Sequence, residues 1–125
     1  MIQLEAAFTN IIGKYPTYMR PPYFECGGNC LSVMDTLSYH TIFTNLDTLD
    51  WANTGNIQVS KDIFSGAINP SSPASSSWIV LAHDVHPTTV NSLAQHMIDT
   101  VAAKGYRTVT VGECLGDPAA NWYRT

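Results

Sequence analysis

Hydrophobic spacing along the chain switches between a helical and an extended period, and each switch marks an element. Over 2–12, Leu4, Phe8, Ile11 and Ile12 fall on one helical face, and Gly13 follows where a C-terminal glycine belongs. This helix begins almost at Met1 with no capping residue, as expected of a chain cut from something longer. The stretch 14–23 reads as a short strand closed by Pro21 and Pro22, neither of which can donate to a sheet ladder. Leu31, Met34, Leu37 and Ser38 then mark a second helix over 29–37. Residues 39–45 alternate and are β-branched, which predicts a strand running into Leu46-Asp47-Thr48-Leu49-Asp50-Trp51. Residues 57–68 have helical spacing with Val59, Ile63, Phe64 and Ala67 inward, and the Ser- and Pro-rich run 69–77 is a loop.

The next stretch is the most pointed. Trp78-Ile79-Val80-Leu81 runs through Ala82 straight into His83-Asp84, with His86 two positions on. An apolar run of this length predicts a strand over 78–82, buried on both faces and polar at its carboxyl end. From 87 to 104, Val90, Leu93, Ala94, Met97, Ile98, Val101 and Ala102 keep helical spacing, with Pro87 in the first turn and Gly105 as the stop. A last strand is predicted over 107–111, and 112–125 forms a tail whose Trp122 and Tyr123 pack back on the body. No repeat or linker interrupts the series. Alternating helices and strands predict one α/β domain built of parallel βαβ units.

Composition narrows the class. Apolar residues make up 45% of 125, enough for a core, while charged residues reach only 13%. That balance, with many Thr, Ser and Asn, suits an extracellular protein. A net charge of -4 without a Lys/Arg cluster argues against a nucleic-acid partner. No apolar run approaches the roughly 18 residues of a membrane span, and the Met1 end has no signal peptide, so a secretion signal would lie outside these residues. Cys26 and Cys30, in Cys26-Gly27-Gly28-Asn29-Cys30, could be a small disulfide, half a metal site or two free thiols. No further Cys or His stands at matching spacing, which favours the disulfide and hence an oxidising compartment. Cys114 is then left without a partner.

Three strand ends carry unusual chemistry: Arg20-Pro21-Pro22-Tyr23, Asp47-Thr48-Leu49-Asp50-Trp51 and Leu81-Ala82-His83-Asp84. Parallel strands bring their carboxyl ends to one rim, so an arginine, paired carboxylates and a histidine form an acid–base constellation there. Singly, each has a plain structural explanation. An Asp-x-x-Asp is commonly a loop or cap, an edge histidine is often structural, and an exposed arginine's ion pair is worth ~1 kcal/mol or less. Their coincidence points to a site.

Arg-Pro-Pro-Tyr, Asp-x-x-Asp-Trp and Leu-x-His, in this order and spacing, resemble the last three motifs of the polysaccharide deacetylases, the NodB-homology domains of carbohydrate esterase family 4. The likeness is to the fungal chitin deacetylases in particular. It includes the two close cysteines, the Asn45-Leu46-Asp47-Thr48 strand end, Trp78 to Asp84, and the tail from Val111 through Asp117-Pro118 to Asn121-Trp122-Tyr123-Arg124. It covers essentially the whole chain. The resemblance implies a distorted (β/α) barrel that removes acetyl groups from chitin or other N-acetylglucosamine polymers, or in some members from xylan, with a divalent metal, most often zinc. It implies that His83 is the general acid, Asp50 its pairing carboxylate, and Arg20 the residue that holds the catalytic-base aspartate. Tyr23 would lend a backbone N–H to the oxyanion, and Trp51 and Leu81 would wall the acetyl methyl. His40, His86 and His96 match no motif and are expected to be structural or exposed.

The family's first two motifs, Thr-Phe-Asp-Asp and His-(Ser/Thr)-x-x-His, which supply the base and the metal ligands, do not occur. The chain is also shorter than the roughly 200 residues at which such barrels begin. The expectation is therefore the C-terminal part of a secreted or cell-wall deacetylase, needing its N-terminal part for activity and offering no metal ligands itself. A non-catalytic carbohydrate-binding or interaction module is the alternative. A partial barrel would also leave strand edges and apolar surface open to self-association.

Overall fold

Gly13 ends the first helix, α1 (Ile2–Ile12), by adopting the left-handed conformation that costs glycine nothing (φ 73°), and its N–H donates to the Thr9 carbonyl. The structure, a computed structural model, describes all residues from Met1 to Thr125. Its contacts group into two compact units, Met1–Phe43 with Thr110–Thr125, and Thr44–Val109.

In the first unit a single extended segment serves two partners. β1 (Tyr15–Pro16) pairs antiparallel with β6 (Tyr123–Arg124), while β2 (Tyr18–Met19) pairs parallel with β3 (His40–Thr41). Buried Thr17 lies between them, donating its N–H to Trp122 and accepting from the His40 N–H. The tail thus does pack back, but as a strand with an antiparallel register that strict βαβ alternation did not predict. Arg124 fixes it: its guanidinium donates to the carbonyls of Leu37 and Ser38 and lies over the rings of Tyr15 and Tyr39. The second helix, α2 (Cys30–Thr36), ends before Ser38, which turns to φ 56° rather than extending the helical face. The apolar face foreseen on α1 is not buried; Ile11 is 80% exposed, and Leu4 and Ile12 are exposed too.

The second unit holds one βαβ crossover. β4 (Leu46–Asp47) and β5 (Val80–Leu81) are parallel neighbours in the register Leu46↔Val80 and Asp47↔Leu81, joined through α3 (Ile57–Ile68). Leu46, Phe64 and Ile68 form the core, with Trp78, Val80, Met97, Val101 and Tyr106 packed on it. Each fully buried apolar side chain of this size contributes about 1.5–3 kcal/mol. The predicted strand 39–45 is shortened to β3, and the pairing resumes only at Leu46. The strand over 78–82 is β5 alone; Leu81 is buried but Trp78, Ile79 and Val80 are half-buried, because only one edge is paired. On α3 the inward line is Ser60, Phe64 and Ile68, and Val59 faces out.

The helix predicted over 87–104 forms, but it opens with a widened π-helical turn, Thr89–Leu93, before α4 (Ala94–Lys104). The N–H of Ala94 reaches back to the carbonyl of Thr89, five residues away. No strand forms over 107–111. A strand needs a paired neighbour, and instead Thr110 stays extended and caps a short helix, α5 (Val111–Cys114), by accepting the Glu113 N–H.

Candidate acid–base site

The site is built where β4 and β5 end side by side. The N–H and hydroxyl of Thr48 both donate to the Leu81 carbonyl, at 3.2 and 2.8 Å, which locks the two strand ends level. The chain then turns sharply at Leu49, whose φ of 52° is costly for a leucine. Asp47 accepts the Leu49 N–H and the Asn53 side chain donates to the Leu49 carbonyl, so neighbouring side chains hold the turn. This turn drives Asp50 inward.

Asp50 is 0% exposed, and four donors converge on its carboxylate. Oδ1 accepts from the Trp51 N–H at 2.9 Å and from Nδ1 of His83 at 2.8 Å. Oδ2 accepts from the His83 N–H at 2.6 Å and from the Thr89 hydroxyl at 2.7 Å. Burial works against the charge and is the largest single influence. The bonds from the His83 ring, the His83 backbone and Thr89 together outweigh it, and the Asp50 pKa lies below its ordinary value. An ionised carboxylate only accepts, so Nδ1 of His83 carries the hydrogen and Nε2 is the nitrogen left for other work. The His83 side chain is 38% exposed, and Nε2 makes no hydrogen bond to the chain. The bond from Nδ1 to a wholly buried carboxylate oxygen holds the half-open ring in one orientation.

His86 stands edge-on to His83, ring centroids 5.9 Å apart, and its N–H closes the turn onto the His83 carbonyl. His96 bonds Ser65 across two helices, and His40 stacks on Tyr18. The exposed indole of Trp51 follows Asp50, and Leu81 lies buried on β5. Thr89 was not foreseen. Helical spacing put Val90 on the inner face, and only the wide turn reverses that. The adjacent Thr88-Thr89 pair just past His86 is the one sequence signal that could have suggested it.

Arg20 and Tyr23 belong to the first unit. Arg20 is exposed, with its guanidinium over the Phe24 ring at 5.8 Å, and no carboxylate of the chain pairs with it. Tyr23 and Phe24 both take positive φ, 55° and 57°, an uncommon strain for aromatic residues. The Tyr23 side chain is 94% exposed, and its backbone N–H has no acceptor in the chain. The disulfide Cys26–Cys30 follows directly, and Cys114 is free. No three His, Cys, Asp or Glu side chains converge on a point that could hold a cation, so these residues do not by themselves fit a metal.

A chitin deacetylase of Pestalotiopsis sp. is 47% identical over all of this chain, and one of Colletotrichum lindemuthianum is 47% identical over 99% of it. The chain belongs to the polysaccharide deacetylases. It spans 41% and 50% of those two relatives' lengths. The solved structure of the Colletotrichum lindemuthianum chitin deacetylase matches 99% of the chain and 55% of its own, with a TM-score of 0.89 and 48% identity. A polysaccharide deacetylase of Bacillus cereus, 22% identical, matches 86% of the chain and 53% of its own at 0.66, which shows that this part of the NodB-type α/β fold is shared. No protein-family model matches the chain.

Proposed function

We propose that the chain is the acid-bearing part of a metal-dependent deacetylase that hydrolyses N-acetyl groups of chitin or chito-oligosaccharides. The observation that carries this reading is the Asp50–His83 pair, with Nδ1 committed to a buried carboxylate and Nε2 turned away from it. Amide hydrolysis needs such an acid. Water adds its oxygen to the acetyl carbon, the C–N bond breaks, and the electron pair leaves on nitrogen; an amide anion is too basic to depart unprotonated. His83 delivers the proton to that nitrogen from Nε2, and Asp50 stabilises the imidazolium while keeping the ring in place. The positive-φ turn at Tyr23 offers its free N–H to the developing oxyanion, and Arg20 pairs with a base aspartate supplied from outside this chain. Trp51 and Leu81 wall the acetyl methyl. A divalent metal, zinc in this reading, would have to be held by residues that this chain does not supply, and would there lower the pKa of the attacking water.

The relatives named chitin deacetylases support the polymer, and the disulfide supports a secreted or cell-wall site. No helix is long and apolar enough to cross a membrane. Acetate release from N-acetylchito-oligomers by the full-length protein is the expected result, and His83→Ala lowers it about 10²–10⁴-fold. Preference for acetylxylan would move the reading to an O-deacetylase, and unchanged activity in His83→Ala would overturn it. The absence of a ligand cluster favours a second reading, a carbohydrate-binding or interaction module. Stoichiometric zinc binding by the chain in calorimetry would exclude that reading.

A further inference from the structure

The Asp50 carboxylate cannot orient His83 unless it is itself held, and its hold comes partly from an element with no assigned role. Thr89 is 4% exposed and gives its one hydroxyl hydrogen to Oδ2 at 2.7 Å. It can do so because of the π-helical turn Thr89–Leu93. A turn closed between residues five apart advances fewer degrees per residue than an α-helix. Leu93, Met97 and Val101 therefore remain inward with Thr89, while Val90 swings out to 52% exposure. The helix is further tied to the site by its start: the N–H groups of Thr89 and Val90 both donate to the His86 carbonyl, and His86 donates to His83. Widened turns of this kind cluster at functional sites.

We propose that Thr89 is a positioning residue: its hydroxyl fixes the plane of the Asp50 carboxylate so that Oδ1 meets Nδ1 of His83 and the ring presents Nε2 outward. The inference rests on the deacetylase reading for the reaction it serves, and on the geometry alone for the orientation. With Oδ2 occupied by Thr89 and the His83 N–H, the carboxylate has no freedom to rotate. Asp50 is fully buried, so solvent does not replace a lost donor.

Two readouts test it. The first is the ¹⁵N-imidazole NMR signature of His83 in the chain. The native chain and Thr89→Ser, which keeps the hydroxyl, are expected to show the single Nδ1–H tautomer. Thr89→Val, of nearly equal shape, is expected to show a tautomer mixture, and Val90→Ala in the same turn is expected to change nothing. The second is kinetics on the full-length protein. Thr89→Val is expected to lower kcat roughly 10- to 100-fold, the size of one hydrogen bond to a charged group, with KM unchanged and the pH–rate profile displaced; Thr89→Ser restores both. A folded Thr89→Val chain with the native His83 signature overturns the proposal. Where the valine variant does not fold, Thr89→Cys, a weak donor of similar size, is judged by the same criterion. A native protein that releases no acetate, yet whose His83 signature responds to Thr89→Val, overturns the deacetylase reading and leaves the positioning role standing.

Discussion

Asp50 is the residue on which most of the site's physics turns. A carboxylate with no exposure survives ionised only because four donors replace its water shell. This makes its stabilising effect depend on pH with a definite sign. The folded-state pKa lies below the ordinary 3.8, so the stabilisation is fully present above that value and is lost as pH falls through the folded pKa. Asp117 is lowered as well, through its bond from Tyr18, so acid denaturation alone does not isolate Asp50. The comparison with Asp50→Asn does. The native protein is expected to melt well above the variant at neutral pH, and the gap is expected to narrow on acidification below 3.8. A gap that stays constant down to acid pH would show that the carboxylate's charge is not what the site stabilises. Asp50 and His83 were legible in the sequence because strand ends of a parallel pair must meet. Thr89 was not legible, since a hydroxyl one turn inside a helix looks like any solvated position.

Whole helices were read well and strands poorly, for a physical reason. Helical spacing is local, and α1 and α3 match the predicted 2–12 and 57–68. Strands depend on a neighbour that the spacing does not name. Residues 107–111 have the alternation but form no strand, while Tyr123–Arg124, inside what looked like tail, pairs with β1. The Thr110-x-x-Glu113 pattern was the overlooked cue for α5. This element packs tightly. A Cβ placed on Gly112 would stand 2.3 Å from Nε1 of Trp122, whose indole is pinned by its bond to the Asp117 carbonyl. Gly112→Ala is expected to destabilise the chain by about 1–3 kcal/mol through overpacking, read as a lower urea midpoint with unchanged slope. Combining it with Trp122→Leu is expected to recover part of the loss. A Gly112→Ala midpoint equal to the native one would mean that the indole can move aside freely.

At the scale of the whole molecule, the sequence conveyed the family and the α/β class but not how little of the apolar surface the chain covers itself. Helical spacing marks a face that seeks burial; it does not say that the burying partner is present. On α1, Leu4 and Ile11 lie seven residues apart on one face and are both exposed, with Ile12 beside them. The three sheets are two-stranded, so every strand keeps an open edge. Exposed apolar faces and unpaired edges are the two features that drive chains to pair with copies of themselves. The net charge of -4 is too small to keep 125 residues apart by repulsion alone. The chain is therefore expected to self-associate through the α1 face, with a light-scattering mass that rises with concentration. Ile11→Gln is expected to shift that rise to higher concentration, and the exposed, distant Ala74→Gln is expected to leave it in place. A constant monomer mass across the range would show that the α1 face is tolerated in water and that the open edges are too short to pair.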